Sequence, residues 1–324
     1  MDMNRFEIKT WCSTLVLTTL VWIPLAQAAD NSATAGDPRP YLMAAMGDSI
    51  GAGTFANTSA DADSDDYAKS DRVDGQGLPK NKFMLTNRYN LSWGTGDKIS
   101  SNYELLKSWL QVNEPGATLS RLNLAVPGTK SRNINIQAKQ LLNIMNSGSY
   151  RALKYLAIDI GSDDACGSDT SEGTDNTAFA EELKNFFATL SQIQQREPIR
   201  VIVSSIPNIA ELGLPNVRHT KTIFGLSCQT VRKYVFKYCH TLPYWSSDEQ
   251  FTHNVQVVVH KNKILSDLVD EVNRDYPNIQ AHFSSAIFKT DVNPAFLSMD
   301  CFHPNALGQT QFSKDAWADQ PWFK

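Results

Sequence analysis

Three apolar runs of strand length, residues 41–46, 118–126 and 153–160, each stop at a turn of small or polar residues: Gly47-Asp48-Ser49, Pro127-Gly128-Thr129 and Gly161-Ser162-Asp163-Asp164. That recurrence limits the fold more than any other feature, because strands apolar on both faces belong in a sheet covered on both sides. Between the runs, apolar residues recur at helical spacing: Leu105, Leu106, Trp109 and Leu110, then Ile134, Ala138, Leu141, Leu142 and Met145. Residues 177–196 predict a further helix and 199–206 a further strand. Strand alternating with helix at these lengths implies an α/β fold with a mostly parallel sheet and helices on both faces. Residues 208–246 interrupt the alternation and predict an elaborated loop with a short helix. Residues 251–276 carry the longest helical pattern, 279–287 the last strand and 306–317 a final helix. No repeat or low-complexity linker divides the chain, so residues 40–324 are expected to form one domain.

In such a sheet ligands bind beyond the carboxyl ends of the strands, which makes Ser49 the first candidate for chemistry. A serine hydroxyl needs a base, a group to orient that base, and donors for a developing oxyanion. Near the C-terminus Asp300 and His303 lie three residues apart, close enough for the carboxylate to orient the imidazole. Taken singly, the Asp-Ser pair reads first as a helix cap, and Asp-x-x-His is equally a cap or half of a metal site. Residues 56–82 crowd together Asp61, Asp63, Asp65, Asp66, Asp71 and Asp74. This stretch lacks the glycine and distal glutamate of a calcium loop and reads as a surface loop, long enough to serve as a lid or substrate wall. Trp93 suits a substrate groove or a core plug, and His253 and His260 suit a helix surface.

Arg5 and Lys9 precede an apolar stretch over residues 11–25 that ends in Ala26-Gln27-Ala28. This is the pattern of a secretory signal peptide cleaved after Ala28, followed by a flexible polar segment over 29–39. A secreted or periplasmic protein is the expectation. Cys166, Cys228, Cys239 and Cys301 then sit in an oxidising compartment, where an even count implies disulfides rather than zinc. Pairing Cys228 with Cys239 closes a short loop and leaves Cys166 for Cys301. A net charge of -4 argues against a nucleic-acid partner, and no motif implies a metal, an organic cofactor or an obligate protein partner.

Gly47-Asp-Ser-Ile50, Asn123-Leu-Ala-Val-Pro-Gly128, Gly161-Ser-Asp-Asp164 and Asp300-Cys-Phe-His-Pro304 occur in the order and approximate spacing of the SGNH, or GDSL, hydrolases, which the chain resembles over most of its length. Tyr89-Asn-Leu-Ser-Trp-Gly-Thr-Gly-Asp97 and Ala125-Val-Pro-Gly-Thr-Lys-Ser131 look more narrowly like the phospholipase B branch. The resemblance implies a flavodoxin-like three-layer fold with Ser49 as nucleophile, His303 as base and Asp300 as its orienting acid. It places the oxyanion hole at the backbone N–H groups of Ser49 and Gly128 and the side chain at position 163. The family asparagine is replaced there by Asp163, and an ionised carboxylate has no proton to donate. The implied function is hydrolysis of acyl esters of lipids, with transient contact at a membrane surface. A carbohydrate deacetylase and a catalytically weak lipid- or glycan-binding protein are the competing readings.

Overall fold

The structure, a computed structural model, describes residues 37–56, 88–167, 174–222 and 225–324. The expected signal peptide, and the acidic stretch beyond Ala56, lie outside the described residues. Within the unit Pro38–Lys324, β1 (Tyr41–Gly47), β2 (Leu119–Asn123), β3 (Leu153–Asp159), β4 (Ile199–Ser204) and β5 (Ile279–Ser284) pair in parallel in the order β2-β1-β3-β4-β5. This is the flavodoxin-like order, in which the direction of winding reverses between β1 and β3 and opens a crevice beyond their carboxyl ends.

Side-chain alternation along β1 shows why the apolar runs had to be continuous. Leu42, Ala44 and Met46 enter one core, and Tyr41, Met43 and Ala45 enter the other. The first core lies under α2 (Ser131–Asn146), α4 (Asn176–Leu190) and α7 (Asp248–Asp275). The second lies under α1 (Asn102–Asn113) and α9 (Ala306–Asp319). A strand buried on both faces has no position for an alternating polar residue. Trp93, 1% exposed, belongs to the second core and is a plug rather than a groove wall. His253 and His260 are exposed on α7, as expected.

Short helices complete the chain: α3 (Ser162–Cys166), α5 (Pro215–Arg218), α6 (Cys228–Thr230), which runs into a π-helical turn over Val231–Phe236, and α8 (Ala286–Lys289). Several boundaries differ from expectation: β2, expected over 118–126, ends at Asn123, and α7, expected from 251, begins at Asp248. The helix expected over 177–196 stops at Leu190, because the Asn278 side-chain amide draws the carbonyls of Ser191 and Ile193 away at 2.9 and 3.3 Å. The last strand ends at Ser284 rather than 287, because the Phe288 N–H turns to the Ser205 hydroxyl at 2.8 Å and the chain coils into α8.

The expected cysteine pairing is corrected. Cys166 bonds Cys239 and Cys228 bonds Cys301. The segment between Cys228 and Cys239 coils through α6 and the π-helical turn instead of closing on itself, and Lys237 and Cys239 adopt left-handed backbone angles that aim the second cysteine at α3. Each disulfide therefore ties the inserted segment 228–239 to a different turn at the carboxyl end of the sheet.

Candidate active site

Ser49 follows β1, and the turn around it is built from glycines that no other residue could replace. A Cβ at Gly47, whose φ is +135°, would stand 1.7 Å from the Asp159 carbonyl oxygen, and one at Gly51 would stand 2.3 Å from Asp159 Oδ1. Only glycine lets this turn lie against the end of β3. Its backbone is then clamped by amides from distant parts of the chain. The Gly47 N–H donates to Gln137 Oε1 at 2.8 Å, and Gln137 Nε2 donates back to the Gly47 carbonyl at 2.9 Å. Asn123 Nδ2 and Ser92 Oγ donate to the Gly51 carbonyl at 2.8 and 2.7 Å, and Gln309 Nε2 donates to that of Ile50 at 3.0 Å.

The structure brings the three distant residues together. His303 Nε2 lies 2.8 Å from Ser49 Oγ, and His303 Nδ1 lies 2.5 Å from Asp300 Oδ2. Ser49 is 8% exposed, His303 4% and Asp300 0%. The other oxygen of Asp300 accepts from the backbone N–H groups of Phe302 and His303, both at 3.1 Å, and from the Ser298 hydroxyl at 2.8 Å. Burial opposes charge on Asp300, but the adjacent His303 and these donors outweigh it and hold the carboxyl below its ordinary range. With Asp300 ionised against Nδ1, the imidazole proton sits on Nδ1 and Nε2 is left to face the serine hydroxyl.

The remaining two predicted positions lie at the same end of the sheet. Gly128 is exposed at the turn after β2, with φ +79° and open space around its Cβ position. Asp163 stands in the first turn of α3, behind Gly161 at φ +114°. Burial pushes its carboxyl up to about 6, with the Asp164 charge adding to the rise and His303 and Lys130 opposing it. Asp164 does different work, accepting from the Ser131 N–H at 2.9 Å and the Ser131 hydroxyl at 2.8 Å, which fixes the start of α2 against α3.

Several site features escaped the sequence reading. Phe55 stacks on His303 with ring centres 5.8 Å apart, while Tyr238 and Phe302 meet it edge-on at 5.4 and 5.1 Å. Phe236 packs on Phe55 and Tyr238, both at 5.5 Å. The inserted segment thus supplies two rings of the wall around the base. Arg232, fully buried, donates to the carbonyls of Cys301 and Leu212 at 3.0 and 2.6 Å. Behind Ser49, Asp48 and Asp159 are also buried, and burial pushes both carboxyls well above the ordinary range, helped at Asp48 by Asp163 and Asp164 and at Asp159 by Asp48 and Asp163. One signal for the clamp was present: Gln137 falls in the buried stripe Ile134, Ala138, Leu141 of α2, where a polar residue must have a partner.

An apolar cavity opens beside this centre, enclosing about 600 Å³ including its mouth. Ile50 and Ser162 line it on the side of the nucleophile, Phe302 and Pro304 on the side of the base, with Leu212 and Phe296 among the apolar residues beyond.

Comparison with solved structures finds similar chains at low identity. TesA matches at 10% identity, covering 86% of this chain and 97% of its own, with a TM-score of 0.44. A catalytic mutant of Axe2, an acetylxylan esterase from Geobacillus stearothermophilus, matches at 11% identity over 88% and 96%, with a TM-score of 0.45. A putative GDSL-like lipase from Parabacteroides merdae matches at 13% identity over 87% and 95%, with a TM-score of 0.47. No curated protein sequence matches the chain. The family described as GDSL-like Lipase/Acylhydrolase matches residues 43–316. By that match, which takes in Ser49, Asp300 and His303 together with the five-stranded parallel sheet, the chain belongs to the GDSL-like lipase/acylhydrolase family.

Proposed function

We propose that the protein is an exported serine hydrolase that cleaves acyl esters of lipids, phospholipids or lysophospholipids among them as in the phospholipase B-like branch. The observation that carries the proposal is the buried chain of contacts from Ser49 Oγ through the His303 ring to Asp300. Ser49 attacks the ester carbonyl while His303 Nε2 takes its proton, and Asp300 steadies the imidazolium. His303 then returns the proton to the leaving alcohol, and water, activated by the same nitrogen, releases the acid from Ser49. The backbone N–H groups of Ser49 and Gly128 receive the oxyanion, and Asp163 donates to it in its protonated form.

Lipid as substrate is supported by the apolar lining of the cavity at Ile50, Phe302 and Pro304, residues that adjoin Ser49 and His303 in the chain. Export is supported by the N-terminal pattern and by two disulfides, which persist in oxidising compartments. A second reading, carbohydrate deacetylation, draws on the rings of Phe55, Tyr238 and Phe302 around His303, surfaces on which a sugar could stack.

Hydrolysis of a p-nitrophenyl ester series from acetyl to palmitoyl tests the proposal, with Ser49→Ala alongside. Turnover that is lost in Ser49→Ala and rises with chain length supports a lipid esterase. A preference for acetyl moves the assignment to deacetylation, and turnover that survives Ser49→Ala removes the serine mechanism.

A further inference from the structure

Among the described residues six large apolar side chains are exposed, and three of them fall in or just before the inserted segment: Leu226 at 43%, Tyr234 at 66% and Val235 at 50%. A fourth, Leu307, lies four residues beyond His303. A cluster of this kind on a single short segment marks an interaction surface. The cluster is interleaved with exposed Lys221, Lys233 and Lys237. Residues 212–247 contain no aspartate or glutamate, although the whole chain carries a net charge of -4. A locally cationic, apolar surface on an acidic protein is complementary to a sheet of anionic headgroups over hydrocarbon. At such a surface aromatic and aliphatic side chains enter the interface while lysines remain at headgroup level.

The segment is also held in fixed relation to the active site. Cys228 is bonded to Cys301, next to Asp300, and Cys239 to Cys166, three residues past Asp163. Between these anchors Val231 packs with Cys228 and Cys301, and Phe236 contacts Phe55, which stacks on His303. The outward residues Tyr234 and Val235 thus directly precede an inward residue that belongs to the wall of the site.

We propose that Leu226, Lys233, Tyr234, Val235 and Lys237 form a docking surface for anionic phospholipid bilayers, which holds the mouth of the active site at the lipid interface. The docking stands on the surface itself, whereas its benefit to turnover rests on the lipid-esterase reading, so binding and hydrolysis are measured separately.

Binding is read by cosedimentation of the mature protein, carrying Ser49→Ala so that no lipid is consumed, with phosphatidylcholine vesicles with and without phosphatidylglycerol. The expected result is partition onto the mixed vesicles that falls with added salt, with little onto phosphatidylcholine alone. Combined Lys233→Glu and Lys237→Glu should lower the partition by at least roughly fivefold per lysine. Combined Tyr234→Ser and Val235→Ser should lower it on the mixed vesicles as well. In the Ser49 background these variants should keep wild-type turnover of soluble p-nitrophenyl acetate, which also shows that they fold. Binding that ignores phosphatidylglycerol and both pairs of substitutions would overturn the proposal. So would a concentration-dependent dimer dissociated by Tyr234→Ser and Val235→Ser, which assigns the surface to a second copy of the chain. Vesicle binding without ester turnover on any substrate would leave the docking surface standing and remove the esterase reading instead.

Discussion

Opposite ends of the same sheet bury charge in opposite ways. At the amino end Lys154, 4% exposed, donates to Glu114 at 2.6 Å and Glu197 at 2.8 Å, and its ammonium lies 4.3 Å from the centre of the Tyr41 ring. The Tyr41 hydroxyl completes the group by donating to the same two glutamates at 2.8 and 3.1 Å. Burial works against charge on Glu114, yet Lys154 and Tyr41 overcome it and hold the carboxyl below its ordinary value. At the carboxyl end Asp48, Asp159 and Asp163 gather around the Ser49 turn, and although His303 and Lys130 oppose the rise at Asp163, all three carboxyls are pushed up. No side chain among the described residues donates to Asp159, whose carboxyl meets only the backbone N–H groups of Gly51 and of its own residue. A buried charge with partners is a structural tie, and buried acid without them is a store of protons at a site of chemistry.

The largest separation between the two ends should appear on removing the base. His303→Ala should lower kcat by about 10⁴-fold or more, since the remaining oxyanion donors supply only residual catalysis. Its thermal transition should stay near that of wild type, as measured by calorimetry at constant pH. A collapse of the fold would show that the imidazole is a structural tie like Lys154.

Lys154→Ala is the converse. It leaves two glutamates facing each other without a cation, and breaking a buried pair costs about 3–5 kcal/mol. Glu114 and Glu197 keep 28% and 33% side-chain exposure, so solvent relieves part of that and the lower figure applies. Denaturant titration should show the loss, with kcat for a soluble ester within about twofold of wild type because nothing at this end touches the reacting atoms. A matching fall in kcat would mean that the ends of the sheet are coupled.

How much of this was legible in the sequence follows from how local each signal is. The strands and their parallel pairing were readable because each rests on a run of neighbours, whereas Ser49, Asp300 and His303 were joined into one set only by the order of four motifs that resemble a family, no single motif being decisive. The disulfide pairing was not readable, since it depends on where Cys239 points after a π-helical turn and a left-handed Lys237, neither of which leaves a compositional trace. The aromatic wall was missed for the same reason, because Phe55, Tyr238 and Phe302 converge on His303 from separate segments. Asp159 was visible as one acid inside the run Leu-Lys-Tyr-Leu-Ala-Ile-Asp-Ile, but its role required knowing that Gly47 and Gly51 close over it.

A smaller effect should resolve Asp163. Its carboxyl is pushed up to about 6, so in the oxyanion role proposed for it, it would offer a proton below that pH and a repelling charge above it. The kcat of wild type should therefore carry a limb that falls as pH rises through about 6, and Asp163→Asn should lack that limb. The loss of one oxyanion donor is worth about 10²–10³-fold, which sets the gain expected of the asparagine variant at pH 8. A wild-type kcat with no change through this range, together with an unchanged Asp163→Asn, would place the carboxyl away from the oxyanion.

Asp159 gives the sharpest difference in sign. A carboxyl raised above its ordinary 3.8 in the folded protein binds its proton more tightly there than in the unfolded chain. Its contribution to stability is thus fully present below pH 3.8 and lost as pH rises through the higher folded value. Glu114, lowered from 4.5, behaves in reverse: its contribution is present above 4.5 and lost as pH falls below. Asp159→Asn removes the first dependence and leaves the second. The variant should gain stability over wild type at pH 8, with the advantage shrinking towards pH 4. Melting temperatures across that range decide it. Parallel curves would mean that Asp159 is charged in the folded protein, and that the two ends of the sheet differ in geometry but not in protonation.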